Sequence, residues 1–200
     1  MPSYTPPLRD MRFVLHEVLG VVDEFKQLPA HAEVDAETID AVLEEAGKFA
    51  SEVLAPLNAV GDAEGCTLDR EARTVRTPKG FKEAYATFVE GGWPALSADP
   101  AFGGQGLPHV VNQAFFEMLN SANQAWTMYP GLAHGAYECL REHGSEAQKA
   151  LYLPRMQRKA LANSAQAWRS SHCAAVLRIA VRTTPSACRV PLDTNSRTEA

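Results

Sequence analysis

Apolar residues recur through the first three-quarters of the chain at three- and four-residue steps, the spacing that gathers them on one face of an α-helix. Leu8, Met11, Leu15, Val18 and Leu19 follow Pro6-Pro7 in this way, and Gly20 ends the run. Asp35 is placed to cap a second helix whose face is Ile39, Val42, Leu43, Ala46, Phe49, Ala50, Val53 and Leu54. Pro56 is expected to kink or end that helix, and Gly61 to Cys66 read as a loop. Leu68 to Thr77 alternate only weakly and carry several charges, which predicts an irregular connection.

Thr77-Pro78 resembles a cap followed by proline at the first helical position. Phe81, Ala84, Tyr85, Phe88 and Val89 form the stripe of the helix behind it, and Gly91-Gly92 stops it. A loop rich in glycine and proline runs from Trp93 to Pro108. Three helical patterns follow. The first carries Val110, Val111, Ala114, Phe115, Met118 and Leu119. The second runs from about Tyr129 to Arg141 with Leu132, Ala136 and Leu140, and the third opens on the capping box Ser145-x-x-Gln148 and reaches Leu151, Tyr152 and Leu153. No strand and no internal repeat emerges. The expected class is all-α, a helical bundle with one long loop.

Charge divides the chain. Residues 1–156 carry 12 Lys and Arg against 22 Asp and Glu, a net of −10, whereas residues 157–200 carry 7 against 2, a net of +5. All 13 glycines lie at or before Gly144, although about four are expected in the remaining 56 residues at average usage. The last segment holds one aromatic residue, Trp168, and one apolar stretch, Cys173 to Val181. Two readings stand. One is a changed reading frame or unrelated insertion joined near residue 157, giving a poorly structured tail. The other is a basic tail that binds an acidic partner. The acidic body argues against nucleic-acid binding. No apolar run is long enough for a bilayer and no secretory signal opens the chain, so a cytoplasmic protein without a membrane anchor is expected. Cys66, Cys139, Cys173 and Cys188 form no C-x-x-C pair and have no histidines at zinc-ligand spacing, so free thiols and no metal are expected.

Several segments are distinctive in order and spacing. They are Tyr4-x-Pro6-Pro7-Leu8-Arg9-Asp10-Met11-Arg12-Phe13-Val14-Leu15, Phe49-Ala50-x-x-Val53-Leu54-Ala55-Pro56-Leu57-Asn58, Gly92-Trp93-Pro94, Phe102-Gly103-Gly104-Gln105-Gly106-Leu107-Pro108, Tyr129-Pro130-Gly131-Leu132-x-His134-Gly135-Ala136 and Tyr152-Leu153-Pro154-Arg155-Met156. Together they resemble the acyl-CoA dehydrogenase family, in the branch of methylthioalkanoyl-CoA dehydrogenases. The resemblance covers about residues 1–157. It implies an extension helix over 1–35, the family's helical N-terminal domain over 36–157, and an atypical segment over 158–200.

The resemblance also implies chemistry. Such enzymes remove hydrogens from the α and β carbons of an acyl-CoA thioester. A carboxylate takes the α proton, FAD takes the β hydride, and an electron-transfer flavoprotein receives the electrons from what is a homo-oligomer in full-length form. The thioester carbonyl needs hydrogen-bond donors, and the site must exclude water. In the family the flavin-contacting β-domain begins just after the Tyr-Leu-Pro segment, with a Thr-Glu-Pro and a Gly-Ser-Asp or Gly-Thr-Asp. Here the chain reads Gln157 to Trp168 with neither. The family's catalytic carboxylate lies in a C-terminal bundle, so no catalytic or flavin-binding residue transfers to this chain. It is expected not to retain FAD and to be inactive alone. The competing expectation is a non-catalytic helical module that binds full-length subunits or an acidic partner.

Candidate substrate-binding residues follow from the same resemblance: Phe102, Gly103 and Gly104 in the glycine loop, and Tyr129, Gly131 and His134, with Pro130 and Gly135 beside them, on the acyl-pocket wall. Each has a plainer reading. The loop is no P-loop, because no Gly-Lys-Ser/Thr follows, and its glycines suit a tight structural turn. Tyr129 to Gly135 also suit an ordinary helix entry with His134 as a satisfied core or rim histidine. Glu44 and Glu45 suit a solvated face, Glu117 an exposed position rather than a buried carboxylate, and Cys139 a small buried apolar site.

Overall fold

The computed structural model describes residues 4–158; the tail expectations fall outside them. The element order is α1 Leu8–Arg12, α2 Val21–Lys26, α3 Ala36–Lys48, α4 Ala55–Glu64, a hairpin of β1 Thr67–Asp69 and β2 Thr74–Arg76, α5 Phe81–Glu90, α6 His109–His143 and α7 Glu146–Arg158. The all-α class holds, with that small hairpin as its exception.

The first apolar stripe forms α1 and a widened π-helical turn, Phe13–Val18, in which the Leu19 N–H reaches back to the Val14 carbonyl. Gly20 ends it with a left-handed φ of 56°, a conformation that suits glycine. A short helix, α2, follows where none was expected. Met11 and Leu15 are buried against α3, while Phe13, Val14, Val18 and Leu19 stay exposed. Arg12 pairs with both Asp40 and Glu44, and His16 Nε2 lies 2.9 Å from Asp40 Oδ1, so a polar seam runs beside the apolar one.

Asp35 caps α3 as expected, accepting from the Thr38 N–H at 2.8 Å. Its stripe enters a second π-helical turn, Phe49–Leu54, closed by the Ala55 N–H on the Ala50 carbonyl. Pro56 neither ends nor breaks the path. It sits in the first turn of α4, and the widened turn before it carries the chain past the missing N–H. Helix therefore continues through Gly61 to Glu64, four residues into the expected loop.

Thr67 to Arg76 form an antiparallel hairpin, with Leu68 opposite Val75 and Asp69 Oδ1 accepting from the Ala72 N–H in the turn. Both strands are exposed, so no buried face imposes a clear alternation on the sequence. Thr77 does not cap α5. The helix starts after Gly80, behind a turn in which the Phe81 N–H meets the Pro78 carbonyl. Gly91 and Gly92 close α5 as expected.

The first two of the late helical patterns fuse into α6, which breaks at Asn123, where φ is −160° and ψ 86°. Asn123 caps the second half, its Oδ1 accepting from the Trp126 N–H at 3.0 Å. That half thus begins several residues before Tyr129. The capping box of α7 is present: the Ser145 N–H donates to Gln148 Oε1 at 2.8 Å, and the Gln148 N–H to Ser145 Oγ at 3.4 Å.

The main core lies where α3, its π-helical turn, α5 and α6 meet. Phe49, Phe88, Phe115 and Trp126 are buried there in contact with one another and with Trp93 and Tyr85. Trp126 donates its indole N–H to the Phe81 carbonyl at 3.1 Å. Burying such a side chain contributes about 1.5–3 kcal/mol. A second cluster of Ala98, Tyr137, Leu140 and Leu153 joins the glycine loop to α6 and α7, with Phe102 and Met156 against it.

Candidate functional site: a cleft between α6 and the glycine loop

The loop from Trp93 to Pro108 folds on itself. The N–H groups of Gly103, Gly104, Gln105, Gly106 and Leu107 donate in turn to the carbonyls of Pro100, Asp99, Ala95, Ala98 and Leu96, at 2.8–3.0 Å. Gln105 Nε2 ties the loop to the Gly92 carbonyl at 2.9 Å. A Cβ on Gly104 would stand 1.9 Å from the Ala98 carbonyl oxygen. These backbone donors are thus spent inside the loop and are not free to cradle a phosphate.

Between this loop and the second half of α6 lies a cleft. Its apolar wall includes Tyr85, Phe88, Trp93, Phe116, Pro130 and Met156; its polar wall is Ser97, Asn112, His134, Tyr137 and Glu138. The cavity within it is about 30 Å³, room for a few atoms and far below the several hundred Å³ of an ordinary ligand pocket. The Tyr137 hydroxyl is held by the Asp99 N–H at 3.1 Å and by Gln157 Nε2 at 3.0 Å. Asn112 is 3% exposed, and its Nδ2 has no hydrogen-bond partner.

His134 stacks on His109 with ring centroids 5.4 Å apart and lies 5.8 Å from the ring of Phe116. Burial lowers its pKa below the ordinary value; Glu138 opposes the shift, and His109 and Arg141 add to it. The ring is held towards its neutral form. Burial pushes the Tyr85 phenol up to about 12, so it too stays uncharged. Glu138 is ion-paired with Arg141 at 2.9 Å.

Of the six candidate residues, the cleft gathers His134, together with the neighbouring Pro130. Phe102 packs in the second cluster behind Tyr137, and Gly103 and Gly104 lie in the turn that supports it. Tyr129 turns towards the main core, its hydroxyl 3.8 Å from Cys66 Sγ. Burial and that thiol raise its pKa to about 12. A Cβ on Gly131 or Gly135 would meet nothing within 4 Å. Glu44, Glu45 and Glu117 are exposed, and Cys139 is half-buried. Asn112 and Tyr137 were not singled out from sequence, since one polar residue in an apolar helical stripe carries no spacing signal. Among the described residues there is no cluster of three or more metal-ligating side chains, and no helix is long and apolar enough to cross a membrane.

The chain belongs to the acyl-CoA dehydrogenase family, because residues 36–160 match the family's N-terminal domain. It is 40% identical over 154 residues to 3-methylmercaptopropionyl-CoA dehydrogenase of Ruegeria pomeroyi, covering 77% of this chain and 26% of that protein. It is 34% identical over 149 residues to the broad-specificity linear acyl-CoA dehydrogenase FadE5 of Mycobacterium tuberculosis, covering 74% and 24%. Against butyryl-CoA dehydrogenase of Syntrophomonas wolfei it is 32% identical over 158 residues, covering 77% and 25%. The chain spans about a quarter of the length of the curated relatives it matches.

Proposed function

We propose that this chain is the helical N-terminal part of an FAD-dependent acyl-CoA dehydrogenase, and that the 200-residue polypeptide does not dehydrogenate acyl-CoA alone. Residues 1–35 are its extension, 36–157 the helical domain and 158–200 a segment of other origin. Phe102, Gly103, Gly104, Tyr129, Gly131 and His134 border the acyl chain in the parent enzyme, whose partners are acyl-CoA, an electron-transfer flavoprotein and further copies of itself in the cytoplasm. The observation that carries the reading is the family match across the helical domain, followed after Met156 by a sequence with neither Thr-Glu-Pro nor Gly-Ser-Asp.

The described residues do not fit the flavin. The glycine loop has spent its N–H groups on its own carbonyls, and the cleft admits only a few atoms. No chemical step is assigned to them; their part is to shape and dry one wall of a site.

The test has two arms. The purified chain with added FAD, acyl-CoA and a redox dye is expected to be colourless and to leave the dye oxidised. A chimera carrying residues 1–156 in place of the corresponding segment of the Ruegeria enzyme is expected to bind flavin and reduce the dye. A yellow, active chain overturns the inactivity, and a folded but inactive chimera overturns the assignment of the domain.

A second reading, a helical module that binds full-length subunits, draws on the exposed Met128, Leu132 and Leu151 of α6 and α7. Co-purification with a complete dehydrogenase, without turnover by the chain, distinguishes it.

A further inference from the structure

We infer that the apolar groove between α3, its π-helical turn and α5 is a docking site for the basic segment Trp168–Arg182 of the same chain. This goes beyond the reading above, which gives that segment no role, and does not rest on it.

The groove shares Trp93 with the cleft and is far larger, about 660 Å³ and open to solvent. Val42, Phe49, Val53 and Trp93 form its apolar lining. Glu45, Lys48, Glu52 and Glu90 carry its charge, three carboxylates to one ammonium. Lys48 already meets Glu45 at 2.6 Å. Among the described residues Glu52 and Glu90 form no ion pair. Two unpaired carboxylates therefore stand over an apolar floor. Such a surface selects a chain whose apolar residues are accompanied by cations, and it repels an acidic one.

The chain itself supplies that occupant. From Gln157 to Leu192 it has no Asp or Glu, and Trp168 and the apolar stretch Cys173 to Val181 are accompanied by Arg169, Arg178 and Arg182. Apolar side chains gain by leaving water, and the guanidinium groups suit Glu52 and Glu90. Reach permits the contact. The last helix, α7, packs against Trp93–Ala95, and Met156 shares a wall of the cleft with Trp93. The chain thus leaves α7 close to a residue that lines the groove. Ten residues separate Arg158 from Trp168, about 33 Å when extended, against a radius of gyration of about 15 Å for a domain of this size. A tether this short holds the segment at roughly millimolar effective concentration, which favours docking within one chain over docking between two.

The experiment uses the full chain with ¹³C-labelled valine and leucine methyls and a neutral gadolinium chelate as a solvent probe. Val42 and Val53 report on the groove, and Leu43, 0% exposed, is the internal control. Both valines are expected to be protected in wild type. R178E/R182E, which alters no described residue, is expected to lower the ratio of docked to free segment about ten-fold, the worth of two rim ion pairs turned into repulsions, and so to broaden both valines. E52R/E90R is expected to do the same, and the four changes together to restore protection. Equal broadening in wild type and R178E/R182E overturns the proposal, as does a folded four-fold variant whose valines stay exposed. The comparison of wild type with R178E/R182E decides the matter even where E52R/E90R does not fold. Protection that fades on dilution would place a second copy's segment in the groove and overturn docking within one chain.

Discussion

Asn123 donates its side-chain amide to the carbonyl of Leu54 at 3.2 Å, across 69 residues of chain. The same side chain caps the second half of α6 through the Trp126 N–H. One buried residue therefore joins the break in α6 to the end of the π-helical turn that precedes Pro56. N123A removes the cap and strips a partner from a buried carbonyl, for a loss of about 2 kcal/mol. N123D keeps the cap and loses the donor, leaving a carboxylate against the Leu54 carbonyl. Urea denaturation should rank wild type above both variants, and a fully stable N123A would show that the bridge carries no weight.

Glycines of the proposed acyl wall should respond in opposite directions. At Gly104 an added Cβ stands 1.9 Å from backbone, which no rotamer can relieve, so G104A should cost more than 3 kcal/mol or abolish the folded loop. At Gly131 the space is open and the backbone helical, so G131A should stabilise the chain by about 0.5–1 kcal/mol. Thermal melts of the two variants check this directly. A stabilised G104A would contradict the packing of the loop on Ala98.

Where a local rule sufficed, the sequence announced the element. Asp35, Gly20, Gly91 and the Ser145/Gln148 box act within four residues of themselves, and the structure places each where its chemistry puts it. Elements that depend on distant partners were not legible. The π-helical turns at Phe13–Val18 and Phe49–Leu54 add a residue to a turn without changing the apolar spacing enough to be seen. The hairpin at 67–76 buries neither face. Asn123 looks like any polar residue until Leu54 stands beside it. Of the cleft, His134 alone among the six candidate residues, with the neighbouring Pro130, was picked out from the sequence. Its polar centre was not, because Asn112 and Tyr137 matter through burial, which one sequence does not display.

Tyr137 is the hinge of the second cluster. Its hydroxyl serves both the Asp99 N–H and the Gln157 amide, so it ties the glycine loop to the end of α7. Y137F leaves one buried and one half-buried polar group without that partner, at about 1–3 kcal/mol. Q157L removes one of them and fills the same space, so the double variant Y137F/Q157L should lose less than the sum of the two single changes. A double-mutant cycle in urea measures that coupling, and strict additivity would mean that the contact is not formed in solution.

The half-buried His134, whose ring stacks on that of His109, sets a pH dependence. Burial lowers the pKa of His134 in the folded chain, while the unfolded chain has the ordinary value near 6.5. Between the two values the unfolded state binds more protons, so stability rises with pH through that window. The contribution is complete above about pH 6.5 and is lost as pH falls towards the folded pKa. H134Q cannot titrate, and its stability curve should therefore be flatter than wild type between about pH 7 and pH 5. Carboxylates that titrate lower down are common to both proteins and cancel in the difference. Parallel curves across that range would show that His134 is as easily protonated in the fold as outside it, and that the wall of the cleft is wetter than its aromatic lining implies.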